Sequence, residues 1–283
     1  MSFILHAQNF GRIPLTGRWI QRRLQARCAK VGTLVAGLPD PDISVVIRSR
    51  NDGAFIKQLF ADIRAQEFNG RIEVIVVDTT STDNTVVDAK AQGAKIIHLT
   101  QAAFTYPVAL NVGFRAAKYP YVVTLVGHSN LSNRMMFRSL TYWCQQEKFG
   151  GVYSWPLVNR NGSRWERWGS VWWPLFLGPR IMQKASSGML GANCSIVKRQ
   201  VWEQLGGYDE RYAGGGEDTA LARSMLMHGF VIAREPLCSV FHSHGLSVVN
   251  NLKQSWHWLQ IGRARPQPFD AKKVHARRPD LRD

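Results

Sequence analysis

Glu217 and Asp218 are adjacent carboxylates that follow Gly214, Gly215 and Gly216 and open a helix-like run over residues 219–228. One carboxylate so placed can take a proton from an attacking hydroxyl while the glycines let the loop close over substrates. Two negative charges at a helix start also suit the helix dipole, so chemistry and capping both account for the pair. Earlier in the chain, Val76-Val77-Asp78 is followed by Ser81 and Asp83. A carboxylate at the end of an apolar strand is well placed to bind a ligand's N–H or hydroxyl groups. Asp83 suits that rim or the capping of the next helix. Asn51, in Asn51-Asp52-Gly53, occupies the equivalent place after the first strand-like run and also has a turn composition. Gly127-His128 follows the fourth run; the glycine permits close backbone approach to a ligand, and the histidine can ligate a metal or donate to a phosphate. His242 and His244 add two imidazoles. If their segment lies beside His128, the three are the expected ligands of a divalent cation.

These groups need a frame that gathers strand ends. Strand-like runs over residues 43–48, 72–77, 94–99 and 121–126 alternate with helix-like runs over 54–67, 86–92 and 108–118. The alternation predicts an α/β fold, Rossmann-like, with a mainly parallel central sheet flanked by helices and ligands beyond the carboxyl ends of the strands. A helix is expected over 133–147. The tryptophan-rich residues 155–173 lack periodicity and read as a long, partly exposed loop in which Trp155 and Trp173 either stack on a sugar face or pack a core. Helix and strand texture resumes from 191 to about 261, including a helix-like run over 250–261 with Trp256 and Trp258, and the division expected is a basic extension over 1–40, a domain over 41–262 with halves 41–132 and 133–262, and a poorly ordered basic tail over 263–283. In the extension, Ile20, Leu24, Cys28 and Val31 recur at helical spacing among Arg22, Arg23 and Arg27, as in an interfacial or a packed amphipathic helix.

The chain has 283 residues, 45% hydrophobic and 11% aromatic, enough for a sizeable core. Its net charge of +16 calls for an anionic partner: nucleic acid, anionic lipid or a phosphate-bearing substrate. No nucleic-acid motif accompanies the charge, so no specific nucleic acid is expected. The four cysteines have no paired spacing, which argues against a zinc knuckle or a disulfide scaffold. No run reaches membrane-spanning length and no leader is evident at the start, so the expectation is a cytoplasmic protein; if the basic N-terminal helix is interfacial rather than packed, it would attach to the anionic inner face of the cell membrane.

Taken in order, Ser44-Val45-Val46-Ile47 with Asn51, Val76-Val77-Asp78 with Ser81 and Asp83, Gly191-Ala192-Asn193-Cys194-Ser195, Trp202 through Gly206-Gly207-Tyr208-Asp209-Glu210, and Glu217-Asp218 resemble the family 2 glycosyltransferases. The resemblance covers roughly residues 42–245. It implies a GT-A fold and an inverting transfer from a nucleotide-sugar donor, with a glycan or lipid-linked acceptor in bacterial surface polysaccharide or glycoconjugate synthesis. The donor is then expected at Arg48, Asn51, Asp78, Ser81, Asp83, Gly127 and His128, and the acceptor at Trp155, Trp173, Asn193, Gly215 and Gly216. Asp218 is the implied base, beside Glu217. One departure stands out: Val126-Gly127-His128 replaces the family's Asp-x-Asp, so the expectation is either a weakly held Mn²⁺ or Mg²⁺ on His128, His242 and His244 or a metal-light site that relies on arginines. The missing carboxylate also fits an inactive relative that binds glycans or nucleotides, and a nucleotidylyltransferase is disfavoured because Arg48-Ser49-Arg50 is a poor phosphate loop.

Overall fold

The computed structural model describes residues 2–191, 193–250, 252, 253 and 256. Ala192, Trp258 and the basic tail over 263–283 lie outside the described residues. Strand β1 (Ile43–Ser49) is buried at all seven positions because both faces of the sheet are covered. It pairs in parallel with β2 (Ile72–Asp78) and β4 (Tyr121–Val126), and β2 pairs in parallel with β3 (Lys95–His98). Helix α3 (Gly53–Arg64) packs Ile56, Leu59 and Ile63 into the cluster that holds Ile43, Val45 and Ile47. Helix α5 (Tyr106–Ala116) packs Ala109, Leu110 and Phe114 with Val46, Ile75 and Val77 in the other. The strand's alternation thus divides its side chains between two helical layers. Each such buried aliphatic side chain contributes roughly 1.5–3 kcal/mol. Helix α4 (Thr85–Ala91) joins β2 to β3.

The eight-stranded sheet of the described residues runs β3-β2-β1-β4-β8-β6-β9-β7, with β6 (Phe149–Tyr153), β7 (Arg180–Met182), β8 (Cys194–Lys198) and β9 (Val231–Arg234). β8 is antiparallel to both β4 and β6, and β9 is parallel to β6, so β6 and β9 point the same way as β1 and β4. Helices α6 (Met136–Gln145), α8 (Arg199–Gln204) and α9 (Glu217–Met227) belong to this half. A small antiparallel ribbon pairs β5 (Asn130–Leu131) with β10 (Val240–Phe241).

After the short helix α1 (Ala7–Phe10), helix α2 (Gly17–Leu34) buries Ile20, Leu24, Cys28 and Val31 in a third cluster with Leu157, Trp173, Leu237 and Phe241. Arg27 donates through Nε (3.1 Å) and Nη2 (2.5 Å) to the fully buried Glu235, which also accepts from Trp143 Nε1 at 2.9 Å. The first helix-like run is therefore pinned to the second half of the chain. The tryptophan-rich stretch is not a plain loop: it holds α7 (Arg164–Gly169) and most of a 3-10 helix (Ser170–Phe176), and β7 follows it. Ser163 and Glu166 cap α7 reciprocally, but α7 has no buried residue, so the apolar period that would signal a helix is missing. Among the described residues no helix is long and apolar enough to cross a membrane.

Candidate active site

The common direction of β1, β2, β4, β6 and β9 gathers their carboxyl ends at one rim, where β8 starts and α9 begins. Arg48, Asp78, Gly127 and Trp155 fall at or just beyond those ends, Asn193 stands just before β8, and Glu217 opens α9. An open α/β sheet binds ligands at such a rim.

Two loops of the rim are tied to each other. Asn51 has a positive φ of 52°, its N–H donates to Ser81 Oγ (2.8 Å), and its Oδ1 accepts from Thr82 N–H (2.8 Å). The Asp83 carboxylate accepts from Gly53 N–H (2.9 Å) and Thr85 N–H (3.0 Å). Partial burial pushes the Asp83 carboxyl up, but these bonds and the one from the Thr85 hydroxyl outweigh it and hold the group below its ordinary range. Asn51, Ser81 and Asp83 thus spend their polar groups on each other's loops. Asp78 differs. It is 1% exposed, its Oδ2 accepts from Ser81 N–H (3.1 Å) and lies 3.7 Å from His98 Nδ1, and its Oδ1 has no partner among the described residues. A buried carboxylate oxygen without a donor is costly, and a ligand N–H or hydroxyl would relieve that cost.

The β5–β10 ribbon brings Gly127-His128 beside His242 and His244, which follow β10 outside any strand. The His128 and His242 rings stack with centroids 4.6 Å apart, and one ring nitrogen from each of the three histidines falls within 4.8 Å of the others. His242 Nε2 lies 3.1 Å from His244 Nε2, while His128 Nε2 and His242 Nδ1 are buried without a partner among the described residues. Burial, then His128 and His244, then the charge of Arg48, hold the His242 imidazole well below the ordinary histidine range, which keeps it neutral and able to ligate. Three imidazoles with ring nitrogens this close to one another fit a divalent cation.

Asp52 completes this cluster and was not among the expected site residues. It stands at the N-cap of α3 but makes no side-chain cap bond. Instead its Oδ2 accepts from Ser49 Oγ–H (2.8 Å) and Arg50 N–H (3.1 Å), and its Oδ1 lies 3.0 Å from His128 Nδ1. That bond places the His128 proton on Nδ1 and turns Nε2 toward the other histidines. Gly127 makes room for it, because a Cβ there would stand 2.5 Å from Ser49 Oγ and collide with the Asp52 carboxylate. The only sequence signal was a glycine beside the histidine, which had read as room for a ligand.

On the far side of the rim, Gly215 and Gly216 have φ of 117° and 91°, and Gly216 is the N-cap of α9. Glu217 is buried; burial, then the neighbouring Asp218, push its carboxyl up to about 8 against the pull of Arg48. Asp218 is half-exposed and its Oδ1 accepts from Thr219 N–H at 2.6 Å. Arg48, with its guanidinium 5.1 Å from the Tyr106 ring centre, acts electrostatically on both Glu217 and His242. Asn111 was also missed. Its Nδ2 donates to Tyr208 O (2.8 Å) and Glu210 Oε1 (2.9 Å), and its Oδ1 accepts from Tyr208 N–H (2.9 Å) and Trp202 Nε1–H (3.2 Å). It holds the segment that leads into the glycine loop. A cleft of about 670 Å³ lined by Trp155, Trp173 and His242 opens next to the histidines. Trp173 is buried, and its Nε1 has no partner among the described residues.

A mainly parallel sheet flanked by helices, with a small antiparallel ribbon beside it and the candidate site at the strands' carboxyl ends, is the arrangement of a GT-A fold. The family model described as glycosyl transferase family 2 matches residues 44–206, more than half of the chain, and the protein belongs to that family. A comparison with curated proteins finds no match. Among solved structures, the chain is similar to the mannosyltransferase PcManGT from Pyrobaculum calidifontis in complex with GDP-Man and Mn²⁺ (17% identity, TM-score 0.58, 95% of this chain and 80% of that one). It is also similar to S. aureus TarS 1-349 (15%, 0.56, 82% and 68%). A third neighbour is glucosyl-3-phosphoglycerate synthase from Mycobacterium tuberculosis with Mn²⁺, UDP and glucosyl-3-phosphoglycerate (18%, 0.53, 84% and 85%). These likenesses establish the shared fold.

Proposed function

We propose that the protein transfers a hexosyl or related sugar from a nucleotide-sugar donor to a hydroxyl acceptor, with inversion at the anomeric carbon. The observation that carries the reading is the convergence at one rim of the Asp78 oxygen, the three histidines and the Glu217–Asp218 pair. Asp78 Oδ1 accepts from an N–H of the donor base, and Arg48, held against Tyr106, supplies positive charge near the donor phosphates. Three imidazole nitrogens favour Mn²⁺ over the harder, oxygen-seeking Mg²⁺. A cation held by His128, His242 and His244 would neutralise charge developing on the departing diphosphate.

The acceptor oxygen attacks the anomeric carbon from the face opposite the diphosphate. The new C–O bond forms as the old one breaks, the bonding pair leaves with the diphosphate, and the acceptor proton passes to Asp218. Glu217 keeps its own proton at neutral pH, since burial holds its carboxyl up to about 8, so the half-exposed Asp218 is the member of the pair assigned as base. Trp155, half-buried in the cleft wall, offers a face for an acceptor sugar, with Asn193, Gly215 and Gly216 on the neighbouring rim, whereas Trp173 packs in the core rather than against a ligand. A glycan or lipid-linked acceptor in bacterial surface polysaccharide synthesis suits the basic chain. Thermal unfolding with UDP, GDP, dTDP and CMP, with and without Mn²⁺, tests the donor assignment. One nucleotide should stabilise the fold with Mn²⁺, by about 2.7 kcal/mol at 100 times its dissociation constant. A chain indifferent to all four, with or without the metal, has no such donor site.

A further inference from the structure

Beside the tryptophan cleft the surface carries apolar side chains that a water-facing fold would not keep. Leu15 is 88% exposed, Trp19 48%, Trp172 68% and Leu175 71%, and Trp165 and Trp168 on α7 are exposed as well. They belong to elements that touch: α2 packs on the 3-10 helix over 170–176, which packs on α7. Arg12 Nη1 donates to the Arg160 carbonyl at 2.5 Å, which joins the segment before α2 to the one before α7. Trp165, Trp168 and Trp172 form part of the cleft wall.

The segments that carry these side chains are also basic. The first 39 residues hold six Lys and Arg and no Asp or Glu, and residues 154–190 hold five against Glu166 alone. Arg12, Arg18, Arg22, Arg23, Arg160 and Arg164 are all exposed. Glu166 is occupied, accepting from Ser163 N–H (2.7 Å) and His244 N–H (3.1 Å).

We propose that this face docks on an anionic lipid bilayer, with the tryptophans and leucines at the level of the headgroups and upper acyl chains and the arginines on the lipid phosphates. Indole rings beside arginines match the bilayer interface, where an apolar body and a polar tip are both satisfied. A second copy is a poor occupant, because a two-fold contact would lay one arginine cluster on another. Nucleic acid is a poor one too: Leu15 and Leu175, the most exposed of the set, have no ring to stack on a base. The bilayer then lies at the mouth of the cleft, so an acceptor carried by a lipid enters from the membrane; this last step rests on the acceptor reading above.

The test is co-sedimentation of the full chain with phosphatidylcholine vesicles, with and without phosphatidylglycerol, alongside Trp19→Ser/Leu175→Ser and Arg18→Ser/Arg22→Ser variants. Nucleotide-induced thermal shifts serve as the folding control. Binding should require phosphatidylglycerol, and vesicles of brominated phosphatidylglycerol should quench tryptophan emission. The apolar variant should lose about tenfold or more of the partitioning, and the arginine variant about fivefold per residue removed, less as salt rises. Absence of vesicle binding, binding indifferent to Trp19→Ser/Leu175→Ser, a dimer in solution that buries the face, or capture of an oligonucleotide but no vesicle would each overturn the proposal. A failed nucleotide shift with intact vesicle binding would instead count against the donor site.

Discussion

Replacing Gly127 with alanine probes the histidine cluster without altering any of its three histidines. The added Cβ would stand 2.5 Å from Ser49 Oγ and 2.9 Å from Asp52 Cβ, and closer still to Asp52 Oδ2. Ordinary contact requires a retreat of the Asp52 side chain by roughly 1 Å. The 3.0 Å separation from His128 Nδ1 then passes beyond hydrogen-bonding reach. Loss of a hydrogen bond to a carboxylate in a buried setting costs about 1.5–3 kcal/mol, readable as a lower midpoint in urea. Released from Asp52, His128 no longer holds Nε2 toward His242 and His244. A lost outer partner of a ligating histidine weakens metal binding by about 10- to 100-fold. Titration of Mn²⁺ followed by the paramagnetic resonance of the free ion should therefore give nearly the same weakening for Gly127→Ala and Asp52→Ala. Gly178→Ala, where an added Cβ meets nothing within 4 Å, should leave it unchanged. Wild-type Mn²⁺ affinity and wild-type stability in Gly127→Ala would refute this account of the cluster.

Glu217→Gln should stabilise the protein in a pH-dependent way. Folded Glu217 keeps its proton up to about 8, whereas the unfolded chain releases it near 4.5, so the wild type loses stability as pH rises through that window and the amide does not. Urea unfolding at pH 5 and pH 8.5 should show a gain for the variant at the higher pH only, on the order of 1–3 kcal/mol; equal gains at both would contradict the burial argument. Asp78→Asn should weaken nucleotide binding by about 10- to 100-fold with little change in ligand-free melting, since its Oδ1 contacts no protein donor among the described residues. Calorimetric titration checks this, and unchanged affinity would remove Asp78 from the donor site. Asn111→Ala should cost about 2–4 kcal/mol, because it strands the buried N–H of Tyr208 and the indole N–H of Trp202. A loss below 1 kcal/mol by the same unfolding assay would argue against its role in holding the Tyr208 segment.

The first half of the fold was legible because its strands are continuous apolar runs closed by polar residues. The runs at 43–48, 72–77 and 121–126 became β1, β2 and β4 with ends moved by one residue or less. Glu217 opens α9 where the glycines stop. The insertion of β8 between β4 and β6 was not legible, since strand order depends on packing between segments about 70 residues apart. His128, His242 and His244 could be named as a group, but their meeting depends on the two-residue β5–β10 ribbon, too short to leave a pattern. Asp52 was hidden by its place at a helix start, where an aspartate ordinarily caps. Arg27 and Glu235 were invisible for a similar reason, being a distant pair in which each residue alone looks like solvated charge.

The proposed transferase activity requires turnover of a nucleotide-sugar at this rim. Release of nucleoside diphosphate from a panel of UDP-, GDP- and dTDP-sugars, measured with Mn²⁺ and with excess chelator on the wild type and Asp218→Asn, tests it most directly. Release should depend on Mn²⁺, come from one donor class and fall by about 10²–10⁴-fold in the variant. Release from no donor, or release at the wild-type rate in Asp218→Asn, would contradict it.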